Sequence, residues 1–250
     1  MKQVPLLALA ALGATLTINS HASVLFSDTF SYSPGDLTAV SGGLWAAHSG
    51  TNAMPVQVAG GSIGILQGSG SREDVHRLTG LTLSAGDVLY AGFDLTVTGD
   101  ATVPVYFAHF LRTSTTFDTR LWLLPEGAAG GEYSLGINNG SSSPSSGWAT
   151  PLSGDTTYRI VLSYEYDTGN GQLWVNPTTV GDTSISTTGF AGDNVVGFGF
   201  RQASGDSSQF IDNLVVATSF NEALTVPEPT SLALGALGGA MLVLKRRKKA

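Results

Sequence analysis

The sequence predicts an all-β body, a two-sheet antiparallel β-sandwich, that lies between two terminal segments of a different kind. Three observations support this fold class. Short runs of alternating apolar and polar residues recur along the body, as in strands with one buried face. Clusters of Gly, Asn, Asp and Ser separate these runs, as turns do. No part of the body keeps a helical period with capping residues, so we expect no helix there.

Residues 1–22 have the three parts of a secretory signal peptide. Lys2 supplies the positive start, and a mostly apolar run extends from Val4 to Ile18. Ser20 and Ala22 are the small residues expected before a cleavage site. The run is too short to cross a bilayer comfortably. We therefore predict that residues 1–22 are removed on export and that the sandwich domain occupies residues 23–222.

Composition limits the chemistry and the partners of the body. The 250-residue chain has no cysteine, which excludes disulfides, thiolate nucleophiles and cysteine-ligated metals. Residues 23–226 contain six arginines, no lysine and 18 acidic residues, so their net charge is −12. Such a body repels nucleic acid and suits neutral or cationic partners, or Ca²⁺. A solvated acidic surface that maintains solubility explains the same charge.

Five runs predict the strands that carry the core. Each run alternates, and the side chains on its first face are expected to share one side of a sheet. These faces are Leu89, Ala91, Phe93, Leu95 and Val97; Val103, Val105, Phe107, His109 and Leu111; Tyr158, Ile160, Leu162, Tyr164 and Tyr166; Val196, Phe198 and Phe200; and Phe210, Asp212, Leu214 and Val216.

Three motifs resemble one fold family. Tyr164–Asn176 (YEYDTGNGQLWVN) predicts a hairpin, with Gly169 and Gly171 available for positive φ. The sequence resembles the concanavalin A-like and laminin-G-like jelly rolls in three places: this hairpin, the opening Asp28–Tyr32 segment and the closing Phe210–Val216 segment. The resemblance spans roughly residues 24–218. It implies two antiparallel sheets, with the last strand near the first and one concave face that often meets carbohydrate.

The sequence contains only partial matches to known catalytic motifs. Laminarinase-type hydrolases on this fold carry E-x-D-x-x-E on one strand, whereas Glu165 and Asp167 lack the second Glu and run into a turn. Gly60–Gly64 matches G-x-S-x-G without the helix that a nucleophile elbow needs, so we expect a turn. His48, His76 and His109 lack zinc-motif spacing, and His109 is expected in the core or at its rim. The charged 72–77 segment predicts a solvated turn, or else part of a polar binding patch.

Two candidate sites follow from the resemblance and from residue types. In related carbohydrate-binding jelly rolls, acidic residues near the first and last strands often hold structural Ca²⁺, which suggests Asp28 and Asp212 as ligands. The alternative is that Asp212 accepts hydrogen bonds from backbone N–H groups across the closing strand. Trp148 lies in a Gly/Ser/Pro loop near Asn138, Asn139 and Tyr133, and these four form the predicted glycan site unless Trp148 folds back onto a sheet edge. Trp45, Trp122 and Trp174 are expected to pack in the core or on a sheet face.

The C-terminal 25 residues have a specific order. Val226, Pro227, Glu228 and Pro229 precede an uncharged apolar stretch at 231–244, and a basic cluster follows at 245–249. The stretch predicts a marginal transmembrane helix, and the basic cluster would keep its end cytoplasmic. The segment 226–250 resembles the PEP-CTERM sorting signal of Gram-negative bacteria, which implies recognition by an exosortase-type membrane transpeptidase. A plain C-terminal membrane anchor is the alternative.

These observations favour a non-catalytic exported protein of the cell surface or exopolysaccharide matrix, anchored transiently in the inner membrane, with structural Ca²⁺ as its candidate cofactor. Two alternatives are a dedicated Ca²⁺-assisted carbohydrate-binding or adhesion module, and a polysaccharide hydrolase or lyase. A pair of carboxylates about 5–10 Å apart on the concave face would favour the hydrolase. Exposed aromatic residues on a flat face would favour the binding module.

Overall fold

The computed structural model describes residues 23–113, 116–125, 132–140 and 142–226 of the chain. The predicted signal peptide, and the sorting segment from Pro227 onward with its predicted transmembrane helix, lie outside the described residues. Val226, the first residue of the predicted sorting motif, is exposed at the end of the described chain. Within the described part, no helix is long and apolar enough to cross a membrane.

The first sheet holds nine strands among the described residues, and its pairs are antiparallel. In sheet order the strands are β14 (Ile185–Thr187), β13 (Gly171–Val175), β12 (Thr157–Glu165), β7 (Val88–Thr98), β16 (Ser208–Ala217), β5 (Ser62–Leu66), β4 (Gln57–Ala59) and β2 (Gly35–Asp36), with β1 (Val24–Asp28) paired to β16. The last strand therefore pairs with the first, as the sequence predicted.

The second sheet holds seven antiparallel strands within the described ranges. They are, in sheet order, β11 (Ser146–Gly147), β10 (Tyr133–Asn138), β9 (Thr116–Pro125), β8 (Val105–Thr113), β15 (Gly197–Phe200), β6 (Asp74–Leu78) and β3 (Ala46–Ser49). The two sheets enclose one main core, which confirms the predicted all-β sandwich.

The prediction that the body contains no helix is wrong in two short places. The structure has α1 (Leu37–Val40) and α2 (Phe220–Leu224). The Ser219 side chain accepts a hydrogen bond from the Glu222 N–H and caps α2. Helices of four and five residues are too short to show a periodic pattern, and packing rather than propensity maintains them.

The main core contains the apolar faces of the strands in which apolar and polar residues alternate without interruption. Leu89, Ala91, Phe93, Leu95 and Val97 of β7 are all buried between the sheets. From the facing sheet, Phe198 packs edge-to-face against Phe110 with ring centroids 5.2 Å apart, and its ring centroid lies 6.1 Å from that of Phe93. These contacts confirm the predicted faces of β7 and β15.

A bulge makes the predicted face of β8 wrong in its second half. Val105 and Phe107 point into the core, and so do Ala108 and Phe110. The register with β9 shifts between Tyr106 and Ala108 and again before Phe110. An extra residue in one strand inverts the side of every residue that follows. His109 and Leu111 therefore lie on the outer face of the sheet, not in the core.

A second bulge makes the predicted face of β16 wrong in its first half. Ile211 is buried in the core, whereas Phe210 is 36% exposed. The register with β7 shifts between Asp212 and Val215, where Asn213 has a φ of 51°. Leu214 and Val216 then return to the core. Phe210 and Asp212 therefore lie on the opposite side from Leu214.

Helix α2 covers the outer face of the first sheet. Phe220 and Ala223 pack with Val161, Trp174 and Val215 in a second, smaller apolar cluster. The helix approaches closely because Gly92 of β7 has no side chain, and a Cβ there would lie 1.8 Å from the Ala223 carbonyl oxygen. The chain itself therefore covers this part of the first sheet's outer face.

Candidate functional site

The outer face of the second sheet collects aromatic and basic side chains from four strands and from the residue after β15. The pairing places His76 of β6 opposite Gly199 of β15, and Gly199 opposite His109 of β8. Tyr106 of β8 is opposite Trp122 of β9. We call this surface the aromatic–basic face; its members are His48, His76, Tyr106, His109, Phe117, Arg120, Trp122 and Arg201.

The rings of the aromatic–basic face form one continuous cluster. The His48 ring centroid lies 5.4 Å from that of His76 and 5.3 Å from that of His109. Phe117 lies against His109, with centroids 4.1 Å apart. Tyr106 continues the cluster toward Trp122, whose ring centroid is 5.3 Å away. Side chains from four strands thus form a single patch.

Gly199 makes room for the histidines. A Cβ at this position would lie 2.8 Å from the Val75 carbonyl oxygen and 3.0 Å from His109 Nε2. Such distances are too short for a real Cβ contact, so a larger residue would displace the imidazole. The alternating glycines at 197 and 199 therefore give β15 a smooth outer side while Phe198 and Phe200 fill the core.

Burial keeps all three imidazoles neutral near pH 7. Desolvation lowers the pKa of His48 to about 4, and the neighbouring His76 and Arg201 lower it further. Desolvation also lowers the pKa of His76. The pKa of the fully buried His109 is well below its ordinary value for the same reason, with repulsion from His48 second. A neutral imidazole offers one donor and one acceptor.

Several buried nitrogen atoms on this face lack a protein partner. Both ring nitrogens of His48, both of His109 and the indole Nε1 of Trp122 make no hydrogen bond within the described chain. Unpaired buried polar atoms elsewhere, such as Tyr133 Oη and Trp174 Nε1, belong to other clusters of the sandwich. An unpaired buried polar group costs about 1–3 kcal/mol, so these nitrogens need a partner that the described chain does not supply, such as a buried water.

Two arginines lie over one aromatic ring of the face. The guanidinium carbon of Arg201 is 4.2 Å from the Tyr106 ring centroid, and that of Arg120 is 4.9 Å from it. Arg201 Nε is 4.0 Å from a carboxylate oxygen of Asp74. That carboxylate also accepts hydrogen bonds from Ser49 Oγ and from the Gln202 N–H. Burial raises the Asp74 pKa, which these donors and Arg201 partly offset.

The residues of the predicted glycan site mainly support the fold. Tyr133 is buried in the main core, and Trp148 packs half-buried against that core. Asn139 donates from Nδ2 to the Gly169 carbonyl at 2.7 Å and accepts from the Thr119 N–H. Asn138 is opposite Arg120 in the β9–β10 register and therefore borders the aromatic–basic face. The structure thus does not bring the four residues together as one exposed platform.

The two predicted calcium ligands are engaged differently. The Asp28 carboxylate accepts hydrogen bonds from the Phe30 N–H, Tyr32 Oη and Trp45 Nε1 at 2.7–2.8 Å, and it pairs with Arg77 at 3.4 Å. Asp212 accepts one from the Asn213 N–H at 2.6 Å. This bond comes from the neighbouring residue, so it is not the bond across the closing strand that the alternative for Asp212 describes. In the described residues no group of three or more His, Asp or Glu could hold a metal ion.

The remaining motifs also have structural positions. Gly60 and Gly61 form the turn from β4 to β5 with positive φ, as expected. Glu165 accepts from Thr168 Oγ1, and Asp167 accepts from the Gly86 N–H at 3.0 Å. The expectation of a solvated turn at 72–77 is wrong, because β6 occupies most of it and Glu73 is 1% exposed. Its alternative as a polar patch agrees with His76 on the aromatic–basic face.

Sequence reasoning missed most of this face. Leu121 and Leu123 flank Trp122, so alternation alone indicates that Trp122 lies opposite to them, on the outer side. The histidines are separated by 28 and 33 residues, and only the strand order brings them together. The sequence did predict that Trp45, Trp122 and Trp174 pack in the core or on a sheet face, and the structure confirms it.

Comparison with known proteins supports the fold. No protein-family model matches the chain, and no curated protein does. Among solved structures, it is similar to the CBM2 module of the evolved Dit of Lactobacillus casei BL23 phage J-1, with a TM-score of 0.51, 13% identity, and coverage of 79% of this chain and 96% of the module. It is also similar to a sialidase, with a TM-score of 0.50 and 17% identity over 78% of this chain, although it spans only 19% of that protein.

Lectin-type domains also match, among them the Emp47p carbohydrate recognition domain, with a TM-score of 0.47, 13% identity and coverage of 80% of this chain and 98% of the domain. All these identities are low, so the likeness concerns the fold alone. This chain therefore has an all-β sandwich architecture similar to that of the phage CBM2 module.

Proposed function

We propose that this chain is a non-catalytic, exported surface or matrix protein whose body binds polysaccharide through the aromatic–basic face. The observation that carries the proposal is the continuous cluster of aromatic rings on this face, with the guanidinium groups of two arginines over the Tyr106 ring. Sugars present apolar ring faces and many hydroxyl groups. Aromatic rings pack against the former, and neutral imidazole and indole groups hydrogen-bond the latter.

A binding role accounts for the acidic residues of this sheet better than hydrolysis does. In the described strands of the second sheet these residues are Asp74 and Asp118. Asp118 is opposite the core residue Phe110 and contacts Arg112, so it points into the sandwich. A hydrolase needs two carboxylates that flank the scissile bond on the same surface. Asp74 alone does not meet this requirement.

The terminal segments supply the proposed location. The signal-peptide pattern at 1–22 would export the body, and the motif at 226–229 with the segments at 231–244 and 245–249 would serve an exosortase-type transpeptidase. The chain would then be anchored transiently in the inner membrane and released to the cell surface or matrix. A mass measurement of the C-terminus of the mature protein tests this part independently.

The binding proposal is tested by affinity electrophoresis of the full chain, in mild detergent, against a polysaccharide panel that includes the exopolysaccharide of the producing bacterium. We expect retardation by at least one polysaccharide. Tyr106→Ala should weaken binding about tenfold, since buried aromatic residues dominate binding surfaces. Tyr90→Ala is the matched control, because Tyr90 is a half-buried tyrosine on the outer face of the first sheet.

Each contrary outcome has a distinct meaning. Loss of binding on Trp148→Ala but not on Tyr106→Ala would place the site in the 138–151 loop that the sequence indicated. Loss of retardation in EDTA would favour the Ca²⁺-assisted alternative. New reducing ends or unsaturated sugars in the retarded polymer would show a hydrolase or a lyase. Absence of retardation by every polymer would overturn the proposed binding function.

A further inference from the structure

We infer that Arg72 belongs to a second binding site, separate from the aromatic–basic face, which takes a small carboxylic acid with an apolar body. Arg72 is half-buried and lines a cavity of about 230 Å³ beside β4 and β5 of the first sheet. The other residues that line this cavity are Met54, Pro55, Gln57, Leu66 and Gln202.

Arg72 differs from the other arginines of the body in its lack of a partner within the described residues. Arg120 lies over the Tyr106 ring and interacts with Asp118. The side chain of Arg72 forms neither an ion pair nor a hydrogen bond in the described chain, and its Nε is shielded from solvent. Acidic residues are abundant in a body with net charge −12, so an arginine that none of them pairs with is a specific feature. The arginines with an aspartate carboxylate within 4.0 Å are Arg77, Arg112, Arg159 and Arg201.

Two glycines allow close packing at both ends of Arg72. A Cβ at Gly68 would lie 2.2 Å from Arg72 Nη2 and 2.9 Å from its Cζ, so it would push the guanidinium group away. Gly50 has a φ of 58°, and a Cβ there would lie 1.9 Å from the Arg72 carbonyl oxygen. The backbone and the head group of Arg72 are therefore both restricted before a ligand arrives, which lowers the entropic cost of binding.

The amide side chains of the cavity are already engaged in the fold. Gln202 donates from Nε2 to two backbone carbonyls at 2.8 and 3.1 Å and accepts from the Leu66 N–H at 2.9 Å. Gln57 donates from Nε2 to Asp36 at 2.6 Å. Arg72 is therefore the charged side chain that the cavity offers to a ligand, beside the apolar side chains of Met54 and Leu66.

This combination identifies the class of ligand. The planar guanidinium fork matches a carboxylate through two parallel hydrogen bonds. A phosphate or sulfate group has more oxygens than one guanidinium group can serve, and the apolar wall would leave the others without donors. A cavity of about 150 Å³ admits benzene, so this one has room for a ring or a short alkyl group that carries one carboxylate.

Two matched probes test the site in the full chain. Fluorine NMR line widths measure the binding of para-fluorobenzoate in mild detergent, with the detergent alone as the blank. Para-fluorobenzamide keeps the ring and removes the charge, and we expect it to bind about tenfold more weakly. Arg72→Gln should remove about tenfold of the para-fluorobenzoate affinity. It should leave the midpoint of urea unfolding unchanged, because no hydrogen bond or ion pair of the described chain is lost.

The apolar wall has its own variant and a matched control. Met54→Gln should weaken para-fluorobenzoate binding about threefold through lost apolar contact. Leu44→Gln should not change the affinity, because Leu44 is a similarly exposed apolar residue outside the cavity.

Four results would overturn the inference. Equal binding of the two probes, or displacement of para-fluorobenzoate by inorganic phosphate more readily than by benzoate, would contradict a carboxylate ligand. An unchanged affinity in Arg72→Gln would show that the probe binds elsewhere. No line broadening with the wild type would show that water alone serves Arg72. Each of these results leaves the polysaccharide proposal intact, because that proposal rests on the aromatic–basic face.

Discussion

The two outer faces of the sandwich use the same kinds of residue in opposite ways. On the first sheet, Arg159 donates hydrogen bonds of 2.7–3.2 Å to Asp94 and to the backbone carbonyls of Asn213, Ala223 and Thr225. The Trp174 ring on the same face packs against Phe220 of α2. On the second sheet, Arg120 and Arg201 contact an aromatic ring, and the imidazoles of His48 and His109 have no hydrogen-bond partner in the described chain.

This difference shows how residue type alone fails to indicate function. An arginine whose donors are satisfied by backbone carbonyls maintains the fold, because its removal leaves buried acceptors unpaired. Arg201 lies over the Tyr106 ring and is 4.0 Å from one carboxylate, so its removal should cost the fold less. We therefore expect substitutions on the first face to change stability and substitutions on the second face to change binding.

The largest effect is expected for Arg159→Leu. The substitution leaves Asp94 Oδ1 and three backbone carbonyls without the Arg159 donor and releases the end of α2, while Asn213 Nδ2 still donates to Asp94 Oδ2. We expect the free energy of unfolding to fall by about 3–5 kcal/mol, as when one partner of a buried ion pair is removed. Urea unfolding followed by tryptophan fluorescence measures it. Arg201→Leu on the opposite face should cost less than about 1 kcal/mol, and equal losses would contradict the comparison.

A smaller loss is expected for Gly92→Ala. The new Cβ would lie 1.8 Å from the Ala223 carbonyl oxygen, so α2 must move away from the first sheet. We expect a loss of about 1–3 kcal/mol, as for other overpacked sites, together with faster proteolysis near Thr225. Gly64→Ala is the control, because its Cβ would meet side-chain atoms at 3.4–3.8 Å. Similar proteolysis of the two variants would show that α2 is not held by this close approach.

Acidification should destabilise the aromatic–basic face. The pKa of His48 is about 4 in the folded protein and 6.5 in the unfolded chain. Because the folded-state pKa is the lower one, the stability contributed by neutral His48 is fully present above pH 6.5 and is lost as the pH falls through about 4. We expect wild type to lose about 2 kcal/mol relative to His48→Gln between pH 7 and pH 4, after allowance for solvent screening. Urea unfolding at both pH values measures the difference.

Asp118 has the opposite pH dependence. Burial raises its pKa to about 6, so its contribution is present at low pH and is lost as pH rises through 6. Wild type and His48→Gln share this residue, and the difference between them removes its contribution. A difference that does not change with pH would show that His48 titrates normally and that its surroundings do not exclude water.

Sequence patterns were sufficient where a strand is regular and insufficient where it bulges. Residues 89–97 alternate without interruption, and their buried face was predicted in full. In β8 and β16 a bulge inverts the alternation, so His109 and Asp212 were assigned to the wrong side. A bulge depends on the pairing of two strands, which no single run of residues specifies.

The candidate site could not be predicted for a related reason. His48, His76 and Trp122 lie on three strands that are distant in the sequence, and they share a face only because β15 is inserted between β6 and β8. Trp148, by contrast, is predicted as a glycan-binding residue because it lies in a loop, and loops often carry binding residues. The structure packs it against the core instead.

The smallest effect on stability is expected for Trp122→Phe. This change keeps a ring beside Tyr106 and removes an indole N–H that has no partner in the described chain. We expect the free energy of unfolding to change by less than about 0.5 kcal/mol, because no hydrogen bond is lost. The affinity for a bound polysaccharide should still fall, because the N–H is proposed to serve the ligand.

Trp45→Phe is the matched substitution inside the fold. It removes a 2.8 Å hydrogen bond from Nε1 to the buried Asp28 carboxylate and should cost about 2 kcal/mol without changing ligand affinity. Both the free energy of unfolding and the ligand affinity are measured for each variant, so that an effect on stability can be separated from an effect on binding. If Trp122→Phe destabilises the protein as much as Trp45→Phe, its N–H has a partner within the fold. The Trp122 N–H would then serve the fold, as the Trp45 N–H does, and would not be available to a ligand.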